Sequence, residues 1–213
     1  MNSPAPLSVV LLAHCAASPW KNGGGVTREL LCWEAPSPNP DHDSARRADQ
    51  PTWALRVSVA DIDRDGPFSS YPGIDRVFAV LDGAGVDLEI DDRVSRMTPE
   101  SSPLAFAGEA AVQCRLTGGP SRDLNLMVRR AAGRPLMKRA MAGDEFGEGL
   151  RWRALFASGP ASIAVAAGLP PLDVPSSALC WSDQPGASWR LIAGAHCFWL
   201  GMADHLATFK SLA

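Results

Sequence analysis

The chain has 213 residues, 46% of them hydrophobic, and sets 20 Lys and Arg against 23 Asp and Glu for a formal charge of −3. That composition can bury a sizeable core and excludes wholesale disorder, and charges of both signs mixed along the chain leave no basic footprint for nucleic acid. Five scattered cysteines (Cys15, Cys32, Cys114, Cys180 and Cys197) contain no CxxC pair, which suits the reduced thiols of a cytoplasmic protein rather than a disulfide framework.

The first apolar stretch, PLSVVLLAHCAA, has no Lys or Arg before Lys21. It lacks the basic start of a secretory leader and reads as a first strand. No other apolar run approaches the roughly 20 residues of a membrane-crossing helix, so no membrane partner is expected. PWKNGGGVTREL, residues 19–30, follows. Three glycines in a row serve either a turn at positive φ or close backbone approach to a ligand. The order is not that of a phosphate loop, because no Lys-Ser/Thr pair follows and GxGxxG is absent. If VTRELLCW is a strand, Arg28 shares a face with Val26, Leu30 and Cys32, an odd place for a charge.

Residues 34–52, with four prolines and no apolar face, read as an exposed loop insertion. TWALRVSVA alternates Trp53, Leu55, Val57 and Val59 against Ala54, Arg56, Ser58 and Ala60, the period of a strand. DRVFAVL, the turn at Asp82 to Gly85, and VDLEID then predict a hairpin, with Arg76 on the face of Phe78 and Val80. AAVQCRL, DLNLMVRR, LRWRALFA, ASIAVAA, SALCWS and WRLIAG continue the rhythm, punctuated by 19 glycines and 18 prolines. This is the pattern of an all-β sandwich or barrel. The terminal GMADHLATFKSLA fits either a short helix or a closing strand with a tail.

Four histidines (His14, His42, His196 and His205) leave none between residues 43 and 195, and neither i, i+2 nor i, i+4 pairs occur. A catalytic zinc or iron site and a Ser-His-Asp constellation are therefore not expected, and no metal or other cofactor is predicted. DIDRDG, residues 61–66, matches half of a calcium loop, but position 12 is Pro72 where a bidentate glutamate belongs. What remains is cationic: Arg28, Arg56 and Arg76 on successive strands suggest a shared pocket for a small anion, since a guanidinium binds a carboxylate bidentately.

PWKNGGGVTREL, VSVADIDRDGPFSSYPGIDRVFAVLDGAG and PLAFAGEAAVQCRLTGGPSRDLNLMVRR resemble the successive signatures of the HutD/Ves family over roughly residues 19–130. The resemblance implies a cupin-type (RmlC-like) β-barrel fold in two halves, a bicupin, with residues 1–130 as the N-terminal half and 131–213 as the C-terminal half. It also implies a role in histidine utilisation, through binding an acid such as N-formylglutamate or urocanate and tempering the pathway. Metal-binding cupins carry an HxH pair with a later Glu and His, absent here. The expected ligand site takes Lys21, Asn22, Arg28, Ser58, Phe68, Arg76 and Asn125 from inside the matching motifs, and Arg56 from its place on the strand just before the second. The glycine turn is expected to deliver Lys21 and Asn22 on one side and Arg28 on the other to the pocket mouth. Two alternatives stay open. One is a metal-free isomerase or hydrolase using Glu29 or Asp75 as proton carrier, because fold does not fix function; the other is a regulator that docks on another protein. A homodimer is compatible with all three.

Overall fold

The computed structural model describes residues 7–34, 51–184 and 186–205. Most of the 34–52 segment, with His42, and the last eight residues lie outside them. Among the described residues there are nineteen strands and one 3-10 helix, Leu12–His14. No helix among them is long and apolar enough to cross a membrane.

The strands form four sheets stacked in layers. One central sheet runs β2 (Ala17–Pro19), β3 (Gly25–Trp33), β4 (Leu55–Ile62), β11 (Ser121–Arg129), β6 (Ile74–Gly83), β9 (Leu104–Ala107). It is covered outside by β5 (Gly66–Pro67), β10 (Val112–Leu116), β7 (Val86–Ile90) and β8 (Arg93–Met97). The other central sheet runs β1 (Ser8–Leu11), β17 (Ala178–Ser182), β14 (Trp152–Ala157), β19 (Cys197–Ala203), β12 (Arg134–Ala140). Its cover is β13 (Glu145–Phe146), β18 (Trp189–Gly194), β15 (Ala161–Ala164) and β16 (Leu172–Val174). The fold is all-β and cupin-like, with facing sheets rather than a ring closed by hydrogen bonds.

Pairing repeats. β4–β11–β6–β9 over β5–β10–β7–β8 has the same connectivity, in the same chain order, as β12–β19–β14–β17 over β13–β18–β15–β16. The two sets are tied together at the ends, because β1 leaves the N-terminal strands and pairs with β17.

The core between the central sheets takes Leu55, Val57, Val59, Leu124 and Leu126 from one side and Trp152, Phe156, Phe198 and Leu200 from the other. Central strands are thus buried on both faces, and β19 is buried along its whole length. That double burial explains why CFWLGMA shows no alternation. Of the terminal GMADHLATFKSLA, Gly201 to Ala203 end β19, and residues 206–213 lie outside the described residues. The expected β6–β7 hairpin is not formed. β6 and β7 belong to different sheets, and the chain passes between them through Gly83 and Gly85 at φ of 95° and 98°. Alternation and a turn signal fit a crossover between facing sheets as well as a hairpin, and only the pairing partners differ.

Candidate functional site

The site follows from alternation on three neighbouring strands. Leu55, Val57 and Val59 of β4, Leu124, Leu126 and Val128 of β11, and Val77 and Ala79 of β6 face the other central sheet. The residues between them must face the outer sheet. Register sets Met127 beside both Arg56 and Arg76, Asn125 between Ser58 and Phe78, and Asp123 between Ala60 and Val80. With the β2–β3 turn and the 66–73 segment, Arg56, Ser58, Arg76, Asp123, Asn125 and Met127 line a cavity of about 550 Å³.

Arg76 dominates the cavity. It is only 7% exposed, and its guanidinium carbon lies 5.1, 5.9 and 5.0 Å from the ring centres of Phe68, Tyr71 and Phe106. This aromatic cage holds the guanidinium by attraction to the ring faces. Its Nη2 donates to Asn125 Oδ1 at 3.0 Å, and Asn125 Nδ2 donates to Asp123 Oδ1. Two buried polar atoms end the chain without partners, Arg76 Nε and Asp123 Oδ2. Burial pushes the Asp123 carboxyl up to about 8, against the pull of the Arg76 charge and the Asn125 hydrogen bond. Burial also lowers Arg76 to about 10, so it stays cationic at neutral pH.

Seven of the eight expected ligand residues line this cavity: Lys21, Asn22, Arg56, Ser58, Phe68, Arg76 and Asn125. Arg28 does not. A bulge between Glu29 and Leu31 puts Arg28 opposite Val59, and Cys32 opposite Arg56, so the two share no face. Arg28 donates instead to Asp61 at 2.7 Å, which Arg122 also engages at 2.6 Å. Arg56 lines the cavity with its charge already matched by Glu29 at 2.7 Å. The convergence of three arginines therefore reduces to one uncompensated guanidinium. The expected proton carriers are also displaced: Glu29 is held by Arg56, and Asp75 is paired with Arg130 at 2.8 Å. Asp123, which the sequence reading passed over, is the buried acid of the cavity. The signal was present, since alternation in RDLNLM places it on the face of Asn125.

The glycines divide their work. Gly23 turns the chain at φ 67°, with its N–H on the Trp20 carbonyl at 3.0 Å, and a Cβ on Gly25 would come within 2.2 Å of the Asp61 carbonyl oxygen. The turn is structural, and it sets Lys21 and Asn22 at the cavity wall. Asn22 Oδ1 accepts the Gly24 N–H at 3.0 Å, so its side chain is braced.

No histidine lines the cavity, and no group of three His, Cys, Asp or Glu able to hold a metal occurs among the described residues. These residues do not fit a His-rich cupin metal centre. In DIDRDG, Asp61 is taken by two arginines and Asp65 Oδ1 accepts the Leu116 N–H at 2.8 Å.

A profile of the HutD family matches residues 12–198. An uncharacterised 21.2 kDa protein from the hutC 3′ region of Pseudomonas putida is 40% identical over 109 residues, 51% of each chain. Protein Ves of Escherichia fergusonii is 36% identical over 111 residues, 52% of this chain and 51% of that one. The chain spans about half the length of the curated relatives it matches. The solved structure of HutD from Pseudomonas fluorescens superposes at a TM-score of 0.76 with 24% identity, over 94% of this chain and 100% of that one, a likeness of fold. Cupin barrels are among the wider structural neighbours. A family profile that runs through both central sheets establishes that this chain belongs to the HutD family, which is associated with the histidine-utilisation locus.

Proposed function

We propose that the protein binds a small carboxylate-bearing acid of histidine breakdown, of the size and charge of N-formylglutamate or urocanate, in the cavity around Arg76, and modulates histidine utilisation by binding rather than turnover. One observation carries this reading: a caged, buried guanidinium lines the cavity with its Nε unpartnered, and its only hydrogen bond among the described residues goes to a neutral amide. A buried cation without a bound counter-charge is costly, and a ligand carboxylate supplies that charge. Ser58, Asn125 and Lys21 add polar contacts, while Phe68 and Met127 cover an apolar body.

Calorimetric titration with each acid is expected to give one saturable site, and a ligand at 100 times its dissociation constant should stabilise the fold by roughly 2.7 kcal/mol. The Asp123 carboxyl, with one oxygen unpartnered, favours a second reading, a metal-free isomerase or hydrolase of such an acid. Mass analysis of either acid after incubation separates the two, because turnover scaling with protein concentration replaces the first reading by the second.

A further inference from the structure

The Asp123 side chain is 1% exposed and one of its oxygens has no partner. Its other oxygen is taken by Asn125, whose own oxygen is occupied by Arg76. The two residues that carry these unpartnered atoms, Asp123 with its Oδ2 and Arg76 with its Nε, both line the same cavity. An ionised Asp123 there would repel an incoming carboxylate and satisfy the charge of Arg76 before the ligand could. A neutral Asp123 has the opposite effect, because its O–H becomes a second donor next to the guanidinium.

We infer that Asp123 is a ligand-contacting, specificity-determining residue that enters the complex as a neutral carboxylic acid, its Oδ2–H donating to the carboxylate held by Arg76, so that anion binding requires a proton on Asp123. The proton stays on Asp123, and no bond other than hydrogen bonds forms or breaks. This inference rests on the binding role proposed for the cavity. It extends that role by making the site proton-linked and by selecting ligands that present a hydrogen-bond acceptor between the two residues.

The charged and titratable groups around Asp123 are few. Arg76 on β6 favours its ionisation, and Asp61 on β4 opposes it. Arg56 on β4 is neutralised by Glu29 of β3. Cys114 faces it from β10, with a thiol that burial holds up at about 12 and therefore neutral. Tyr71 and Lys21 stand in the cavity wall. The net balance is a carboxyl pushed up to about 8, so the linkage falls in a range that solution experiments reach.

The test uses the full chain and N-formylglutamate, whose own carboxylates are ionised throughout the range. Binding is measured between pH 7 and 9.5 for wild type and for Asp123→Asn, which keeps the shape and cannot ionise. Wild-type affinity is expected to be level to about pH 8 and then to fall about tenfold per unit, while the variant keeps the wild-type affinity of pH 7 throughout. Equal wild-type affinity at pH 7 and 9.5, or the same decline in the variant, overturns the inference and leaves the binding role standing. No binding at any pH overturns the binding role, and the inference with it. An infrared titration of the unliganded protein gives a reading without ligand. The wild-type minus variant difference should contain a neutral-carboxyl C=O band at pH 6 that disappears by about pH 9.5, and its absence at pH 6 also overturns the inference.

Discussion

The N-terminal and C-terminal strand sets share one connectivity, yet the first lines a polar cavity and the second packs Phe146, Leu155, Trp189 and Trp199 into an apolar cluster. Register makes the contrast residue by residue. Arg153 lies between Ser182 and Gly201 as Arg76 lies between Phe106 and Met127, so each set directs an arginine inward from the same strand. Where the first set has Asn125 between Ser58 and Phe78, the second has Trp199 between Lys138 and Leu155. Asp123, between Ala60 and Val80, corresponds in the same way to Cys197 between Ala140 and Ala157. Trp199 is fully buried and stacks on Phe146 at 5.5 Å between ring centres. Two differences on one strand face thus accompany the contrast between a cavity and a packed core in one topology. Packing volume, not connectivity, separates the two sets.

The largest effect should come from emptying the filled set. Trp199→Ala removes a fully buried indole and is expected to cost about 3–5 kcal/mol in urea unfolding. Asn125→Ala at the matching position borders open space and should cost far less. Equal losses would break the comparison.

The arginines sharpen it next. Arg76→Ala removes a charge-assisted hydrogen bond worth about 1.5–3 kcal/mol, so titration with N-formylglutamate should show a 10- to 100-fold weaker site. Arg153 has no acidic partner among its described contacts, only a 3.5 Å bond from Nη1 to the Gly147 carbonyl and the Trp189 ring at 5.2 Å. Replacing it with Met should raise the melting temperature and leave affinity unchanged, since a buried charge without an ion-pair partner is expensive. Loss of binding in Arg153→Met would place the site in the wrong set.

A third difference is in pH dependence. Asp123 holds its proton in the folded protein up to about pH 8, whereas in the unfolded chain an aspartate releases it near 4. Between those values the native state binds more protons, so stability falls as pH rises from about 4 to about 8 and then levels. Unfolding curves of Asp123→Asn should lack this decline. Cys197, at the corresponding position, is pushed up to about 11 by burial and contributes nothing in that window, so Cys197→Ala should keep the wild-type slope.

The smallest effect is expected at Arg28. It lies outside the cavity in a partly exposed pair with Asp61, which Arg122 also engages, and Arg28→Ala should change stability by about 1 kcal/mol or less with unaltered affinity. A large loss of affinity there would restore the three-arginine pocket that the bulge in β3 removes.

Much of this was legible before the fold was known. Alternation in LRVSVADI and RDLNLMVRR determined which residues share a face, and therefore that Arg56, Ser58 and Asn125 look the same way as Arg76 once the strands are paired. The scarcity of histidine was equally legible, with none between residues 43 and 195. Three things were decided only in three dimensions. A single extra residue in β3 reversed the facing of Arg28, because a bulge leaves no mark in composition or period. The β6–β7 turn became a crossover, because alternation specifies faces and not partners. The strand-by-strand repeat of the two sets, invisible in the sequence, emerged from pairing alone, because backbone hydrogen bonds hold a topology constant while side chains on the inward face are free to exchange a polar cavity for tryptophan.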